Sequence, residues 1–416
     1  MLALYSALYS LALAALFPRE YGKRRGELRR RWLGERLGGL PPRESSRPLV
    51  WLHAVSVGEV AASVPFVRGL TERHPGLDVV VSTVTDTGQA VARERLGRLA
   101  RVVYVPFDLR LSVRRALARL RPSLFIAMET ELWPNTFRAM REAQVPVVIL
   151  NGRISESSFR GYRKVRFLMR RVLRDVTLFC MQDDEYARRI RELGAGEEDV
   201  LVTGSFKFDV TAKGGDIPWA GGLTGPVVVA GSTHRGEDEI MLGLFRALKQ
   251  DFPALTLILV PRHPERFDEV DALVRKEGLP LVRRTGLSGG ERVSGSVVLL
   301  DTVGELSSVY GIADVVVMGG SFIRHGGQNP LEAMAWGKPV VCGPHMENFH
   351  FIKEFYDRGA AIEARENTLA QSVRGLLSSP QKRQSMGARA RDILKANQGA
   401  VGRALDAVER FLPALP

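Results

Sequence analysis

Gly319 to Val341, GGSFIRHGGQNPLEAMAWGKPVV, decides how the chain is to be read. Just before it, Ala313 to Met318 (ADVVVM) is a short apolar, β-branched run of the kind that forms a fully buried strand in a parallel sheet. Gly319, Gly320, Gly326 and Gly327 then remove side chains where a ligand phosphate could approach the backbone. Asn329 suits an N-cap, Pro330 the first helical position and Glu332 the acid of a capping box. The stretch predicts strand, glycine loop and helix, with free helix N–H groups facing back into the loop, an arrangement that binds anions. Glu332 either completes the cap or accepts bonds from ribose hydroxyls.

Working outward, 416 residues with 45% apolar content predict two or three domains with ordinary cores. Cys180 and Cys342 are the only cysteines and no C-x-x-C occurs, which points away from a disulfide framework or a zinc site and toward a reducing compartment. The formal charge of +13 is unevenly placed: residues 1–208 hold 35 Lys+Arg against 22 Asp+Glu, and residues 209–416 hold 24 against 24. A basic first half fits nucleic acid, an anionic membrane or an acidic substrate. No recognition helix, zinc finger or interleaved aromatic platform is present, so nucleic acid fits worst.

Met1 to Phe17 is apolar at 15 of 17 positions and is followed at once by PREYGKRRGELRRRW. As a helix it would reach roughly 26 Å, just short of a bilayer core of about 30 Å. A cleaved signal peptide carries its positive charges before the apolar run, and here they follow it. Ten basic and four acidic residues between Arg19 and Arg47 would keep the following chain in the cytoplasm by the positive-inside rule. Residues 1–17 therefore read as an uncleaved membrane anchor, spanning or half-inserted, and 18–47 as a basic juxtamembrane segment; the alternative is a hydrophobic helix docked on the protein itself. On the anchor reading the segment is a tether, apart from the chemistry.

From residue 48, short apolar runs alternate with helical stretches: PLVWLHAV, DVVVSTV, RVVYVP, SLFIAM, PVVILN and VTLFCM read as strands of a parallel sheet. At HAVSVGEV, Glu59 follows a strand's carboxyl end near a helix start, the edge where open α/β sheets bind ligands. A helix N-terminus would hold its carboxylate ionised, ready either to accept a proton or merely to stabilise the helix. Glu129 and Glu131 in METELWPN would face opposite sides if their strand continued, so only one is expected in a site. SFRGYRKVRFLMRRVLRD is either a solvated basic face or a surface for lipid phosphates. Lys207, in TGSFKFD, closes this half before a Gly-rich linker.

In the second half, PVVVAGSTHRGEDEI gives a strand, a small-residue loop and an acidic helix start; LTLILVPRHPERF ends a strand at Pro261-Arg262-His263, where Arg262 could pair with a phosphate; and in DTVGELSSVYGIADVVV, Thr302 and Glu305 are spaced as a capping box. These turns and the Gly319 loop are expected to converge along one sheet edge as a nucleotide pocket. The tail reads as helices packing back on the first domain.

G-G-S-(x)4-G-G-x-N-P-L-E-A, together with HAVSVGE, METELWPN, TGSFKFD, PRHPERF, DTVGEL and CGPHMENF in that chain order's company, resembles the Kdo (3-deoxy-D-manno-octulosonic acid) transferases over nearly the whole length. The resemblance implies an α/β fold of two Rossmann-like domains facing a cleft, the GT-B glycosyltransferase fold, with an N-terminal membrane-anchor helix. It divides the chain into the anchor at 1–17, the basic segment at 18–47, an acceptor domain at 48–209, a linker at 210–226, a CMP-Kdo-binding domain at 227–390 and a C-terminal helix at 391–416 packing on the first domain. It implies Glu59 as general base, Glu129 in transition-state stabilisation and Lys207 stabilising the departing phosphate. Pro261, Arg262, Val303, Gly304, Glu305, Asn329, Pro330, Leu331 and Glu332 would surround CMP. The implied partners are CMP-Kdo as donor substrate, lipid A precursor as acceptor and the anionic cytoplasmic side of the inner membrane; no cofactor is implied. No Asp-x-Asp occurs, so metal-bridged phosphate stabilisation is not indicated. Rivals are another two-Rossmann nucleotide-sugar enzyme, such as a UDP-sugar transferase or epimerase, and a non-catalytic membrane-tethered nucleotide-binding protein. A dinucleotide dehydrogenase is disfavoured because no G-x-G-x-x-G appears.

Overall fold

The computed structural model describes residues 2–43, 45–212, 214–289, 291 and 293–413. Met1 of the expected anchor, Glu44 of the basic segment, Lys213 of the linker and residues 414–416 of the tail lie outside the described residues. The chain divides into two compact units, Met1–Asp209 with Gly399–Pro416, and Val210–Gln398.

The first unit is built on a seven-stranded parallel sheet: β1 Leu49–His53, β2 Asp78–Thr83, β3 Arg101–Tyr104, β4 Leu124–Met128, β5 Val147–Gly152, β6 Leu178–Met181 and β7 Val200–Val202, in the order β3-β2-β1-β4-β5-β6-β7. Its strands are apolar without alternation because both faces are covered. Val50 and Leu52 of β1 pack on one side with Phe66 and Leu70 of helix Val57–Arg73 and with Leu405 and Val408 of helix Ala400–Glu409. Leu49 and Trp51 pack on the other with Leu120, Phe137 and Ile190. Each such buried side chain contributes about 1.5–3 kcal/mol relative to exposure. The chain runs outward through β1, β2 and β3 and then returns to place β4 on the other side of β1. That reversal opens a crevice at the carboxyl ends of β1 and β4.

The second unit repeats the plan with β8 Val227–Thr233, β9 Thr256–Pro261, β10 Leu281–Arg283, β11 Val297–Leu299, β12 Val315–Met318, β13 Val340–Cys342 and β14 Ile362–Glu363, ordered β10-β11-β9-β8-β12-β13-β14. Its reversal lies between β8 and β12. The Gly319 loop therefore leaves the sheet at the switch point.

Several expectations are corrected. The tail does not cross over at residue 391: helix Pro380–Asn397 belongs to the second unit, and only Ala400–Glu409 packs in the first, where Asp209 accepts bonds from the N–H groups of Gly399 and Val401. The linker residues from Val210 onward group with the second unit. The helix after the glycine loop is short, Leu331–Ala335, with Pro330 rather than Asn329 in the N-cap position; Asn329 still accepts from the Leu331 N–H at 3.2 Å. Residues 2–17 form part of helix Leu2–Gly22, and among the described residues no helix is long and apolar enough to cross a membrane. One side of that helix packs Tyr9, Leu13, Phe17 and Tyr21 against a cluster of Trp32, Tyr104 and Phe107, while Leu4, Leu8, Leu11 and Leu16 stay exposed.

Candidate functional site

At the first switch point, Ser56 caps helix Val57–Arg73 by accepting from the Glu59 N–H at 3.3 Å. The Glu59 carboxylate in turn accepts from the Ser56 hydroxyl and the Val55 N–H, both at 2.9 Å. Glu59 is thus both helix-stabilising and a buried acid. Contrary to the sequence expectation, the helix dipole does not prevail: burial, reinforced by Glu129 and Glu131, pushes its pKa up to about 7, although the two bonds oppose the rise.

The structure brings both METELWPN acids to this site, where only one was expected. The strand ends at Met128, and Glu129 takes a left-handed backbone conformation, φ 54°, which breaks the alternation. Glu129 pairs with Arg153 at 2.6 Å, and burial and Glu129 together raise the pKa of Glu131. Lys207 lies on the 3-10 turn Phe206–Phe208, fixed because the buried Asn151 accepts from the Phe206 N–H at 3.1 Å. Burial and then Arg153 lower its pKa while Glu129 raises it, so all three belong to one electrostatic group. Sequence reasoning missed Arg153 and Asn151. Two acids so close together call for a cationic partner, but nothing local marks one 24 residues away. His53, at the end of β1, is fully buried with its ring 5.5 Å from that of Trp133; burial lowers its pKa to about 3 and keeps it neutral.

The second switch point gathers a different chemistry. Gly319 must be glycine because a Cβ there would meet the Ser232 carbonyl oxygen of the neighbouring loop at 2.3 Å. The fully buried carboxylate of Glu237 accepts from the N–H groups of His234 at 3.0 Å, Gly320 at 2.6 Å and Phe322 at 2.9 Å. A phosphate was expected to approach the backbone of the glycine loop; two amides there are held instead by a protein carboxylate that the sequence showed only as an acidic helix start. His345 and Asn348 brace the loop from outside, through bonds of their N–H groups to Ser321 and Gly326. The rings of His234 and His325 lie 3.9 Å apart and that of His263 is 5.5 Å from His234. Burial, then the neighbouring histidines and arginines, lowers His234 to about 4.

Pro261 ends β9, and the Arg262 N–H donates to the Thr233 carbonyl at 2.9 Å, which sets Arg262 beside this loop with its side chain exposed. Val303 is 80% exposed and Gly304 takes φ 97°. Glu305 does not close a capping box: it occupies the N-cap position of helix Leu306–Val309 and pairs with Arg284 at 2.9 Å; burial pushes its pKa up, but Arg284, Thr302 and Trp219 together hold it below the usual value. Arg284 also lies 5.8 Å over the Trp219 ring. Glu332 is half-buried near Tyr310. Among the described residues no group of three or more His, Cys, Asp or Glu could hold a metal ion.

Residues 31–210 match the family described as 3-deoxy-D-manno-octulosonic-acid transferase (kdotransferase), and residues 290–393 match glycosyl transferases group 1. The chain is 36% identical over 373 residues to the 3-deoxy-D-manno-octulosonic acid transferase of Haemophilus influenzae, covering 87% of each chain. It is 37% identical over 391 residues to that of Bordetella pertussis, covering 91% of this chain and 90% of the relative. In fold it is similar to Anabaena Alr3699/HepE in complex with UDP, with a TM-score of 0.58 at 18% identity, covering 87% of this chain and 99% of that one.

Proposed function

The chain belongs to the 3-deoxy-D-manno-octulosonic acid transferase family, a glycosyltransferase of lipopolysaccharide biosynthesis that transfers Kdo, and from that premise we propose which residues perform the transfer. The observation that carries the reading is Glu59, a buried carboxylate at the first switch point with a pKa near 7. Above that pH it is ionised and can take the proton of an acceptor hydroxyl, whose oxygen attacks the anomeric carbon of the donor with inversion as the bond from that carbon to the phosphate breaks and CMP departs. Glu129, held by Arg153, and Lys207 supply the charges around the reacting groups.

The donor is CMP-Kdo. Its nucleotide takes the second switch point, with the exposed Arg262 on phosphate and the segments Val303–Gly304–Glu305 and Asn329–Pro330–Leu331–Glu332 around it. Because Glu237 already occupies two loop amides, most of the phosphate charge falls to Arg262. The acceptor is a lipid A precursor, consistent with the basic first half and the exposed leucines of helix Leu2–Gly22, which set this unit on the anionic cytoplasmic face of the inner membrane. Mass spectrometry of lipid formed from CMP-Kdo and lipid A precursor tests the reading: addition of Kdo by the wild type and only a trace in the same time by Glu59→Gln is expected, whereas equal product from both removes Glu59 from the chemistry.

A further inference from the structure

Helix Leu2–Gly22 was expected to be a tether apart from the chemistry, but its inward side carries polar groups aimed at one buried residue. Asp108, fully buried in the loop after β3, accepts from the N–H groups of Asn135 at 3.1 Å and Thr136 at 2.7 Å and from the Thr136 hydroxyl at 2.6 Å. Those two amides belong to the first turn of helix Pro134–Glu142, whose N-cap position is held by Trp133 and so lacks a side-chain cap of its own. Asp108 caps that helix from a distance. Helix Leu2–Gly22 closes the same cluster: the Tyr9 hydroxyl accepts from the Asp108 N–H at 3.3 Å, Ser6 accepts from the Asn135 side-chain amide at 3.0 Å, and the Tyr5 hydroxyl faces the Asp108 carboxylate. Asn135 also donates to the Asp108 carbonyl at 2.6 Å. The four residues before Trp133 include Glu129 and Glu131, and Trp133 itself packs on His53.

We propose that helix Leu2–Gly22 is a positioning element for the Glu129–Trp133 loop, acting through Tyr5, Ser6, Tyr9 and Asp108. The proposal rests on the reading of that loop as part of the transfer site. By helical period the exposed Leu4, Leu8 and Leu11 sit on a different side of the helix from Tyr5, Ser6 and Tyr9, so seating the helix on lipid and bracing the loop are separable by substitution. Asp108 lies too deep for a clean test, whereas Tyr5 and Ser6 are half-buried and lose only a hydroxyl in Tyr5→Phe/Ser6→Ala.

The experiment uses the full chain and detergent-dispersed lipid A precursor, so that tethering does not limit the rate. For Tyr5→Phe/Ser6→Ala, kcat should fall about 5- to 20-fold, the scale of a small misplacement of reacting groups. CMP affinity by calorimetry and binding to phosphatidylglycerol vesicles should stay within about twofold of wild type, and Tyr5→Phe with Ser6→Thr, which keeps the second hydroxyl, should recover much of the rate. Glu129→Gln is measured alongside. A double variant as fast as wild type beside an inactive Glu129→Gln overturns the positioning role and leaves the loop's role standing. An active Glu129→Gln overturns the reading of the loop on which the proposal rests. A rate loss that tracks an equal loss of vesicle binding also overturns it, because the helix would then act only by seating the protein on lipid.

Discussion

The two units carry a Gly-Glu pair in the same topological place, Gly58-Glu59 after β1 and Gly236-Glu237 after β8, each at its sheet's switch point. Their carboxylates meet different fates. Glu237 is buried completely and receives three backbone N–H groups, two of them from the glycine loop, so its bonding capacity goes into fixing that loop. Glu59 receives one backbone N–H and one hydroxyl, has two further carboxylates nearby and keeps a pKa near neutrality. The lesson is that position in the fold makes a residue available for chemistry, and the number of donors aimed at it decides whether it remains so.

Exchanging charge for an amide at each position should break the two units in different ways. Glu59→Gln should lower turnover at least about 100-fold, as expected for loss of a general base, with CMP affinity nearly unchanged. Glu237→Gln should instead lose about 1–3 kcal/mol of stability, the cost of disturbing buried charge-assisted bonds, with weaker CMP binding and a rate that recovers at saturating donor. Unfolding curves, calorimetry and kcat on both variants check this; similar phenotypes would erase the distinction. Next in size, Arg262→Ala should weaken CMP binding by about 1.5–3 kcal/mol, the worth of a charge-assisted contact. Unchanged affinity would move the phosphate away from the β8–β9 loops.

Much of this architecture was legible in the sequence because parallel strands buried on both faces read as apolar runs: PLVWLHAV, SLFIAM and ADVVVM all correspond to strands. The strands left out, Leu281–Arg283, Val340–Cys342 and Ile362–Glu363, are only two or three residues long, too short to stand out as apolar runs. The places of Glu59, Glu129 and Arg262 beyond the carboxyl ends of strands were legible from motif and sheet edge. What the sequence concealed was pairing at long range: Arg153 with Glu129, Arg284 with Glu305, Asp108 with Asn135 and Glu237 with Gly320. Capping boxes were over-read because spacing along the chain does not fix where a helix starts: Glu305 rather than Thr302, and Pro330 rather than Asn329, take the N-cap positions.

The pH dependence of the rate sharpens the contrast from the side of Glu59. With a pKa near 7 the carboxylate is mostly protonated at pH 6 and mostly ionised at pH 8, so kcat/KM should rise about tenfold between them and then level off. The rise should be absent from the residual rate of Glu59→Gln. A wild-type profile flat from pH 5.5 to 8 would mean that the proton goes elsewhere.

The smallest expected effect is on stability, and its sign follows from the same titration. Folding raises the Glu59 pKa from its ordinary 4.5 to about 7, so between those values the folded state binds the proton more tightly than the unfolded chain does. Below pH 4.5 both states are protonated and the group contributes no pH dependence. As pH rises toward 7 the buried carboxyl must ionise, and the wild type loses stability over that window. Glu59→Gln cannot ionise, so its stability relative to wild type should climb between pH 4.5 and 7 and hold constant above. Gln keeps one acceptor for Ser56 or Val55, so the net gain at pH 8 should be about 1 kcal/mol, less than the full linkage would give. Chemical denaturation of both proteins at pH 5 and pH 8 checks it. A variant less stable than wild type by the same margin at both pH values would show that Glu59 is held in the folded state for its cap alone, as Glu237 is for its loop.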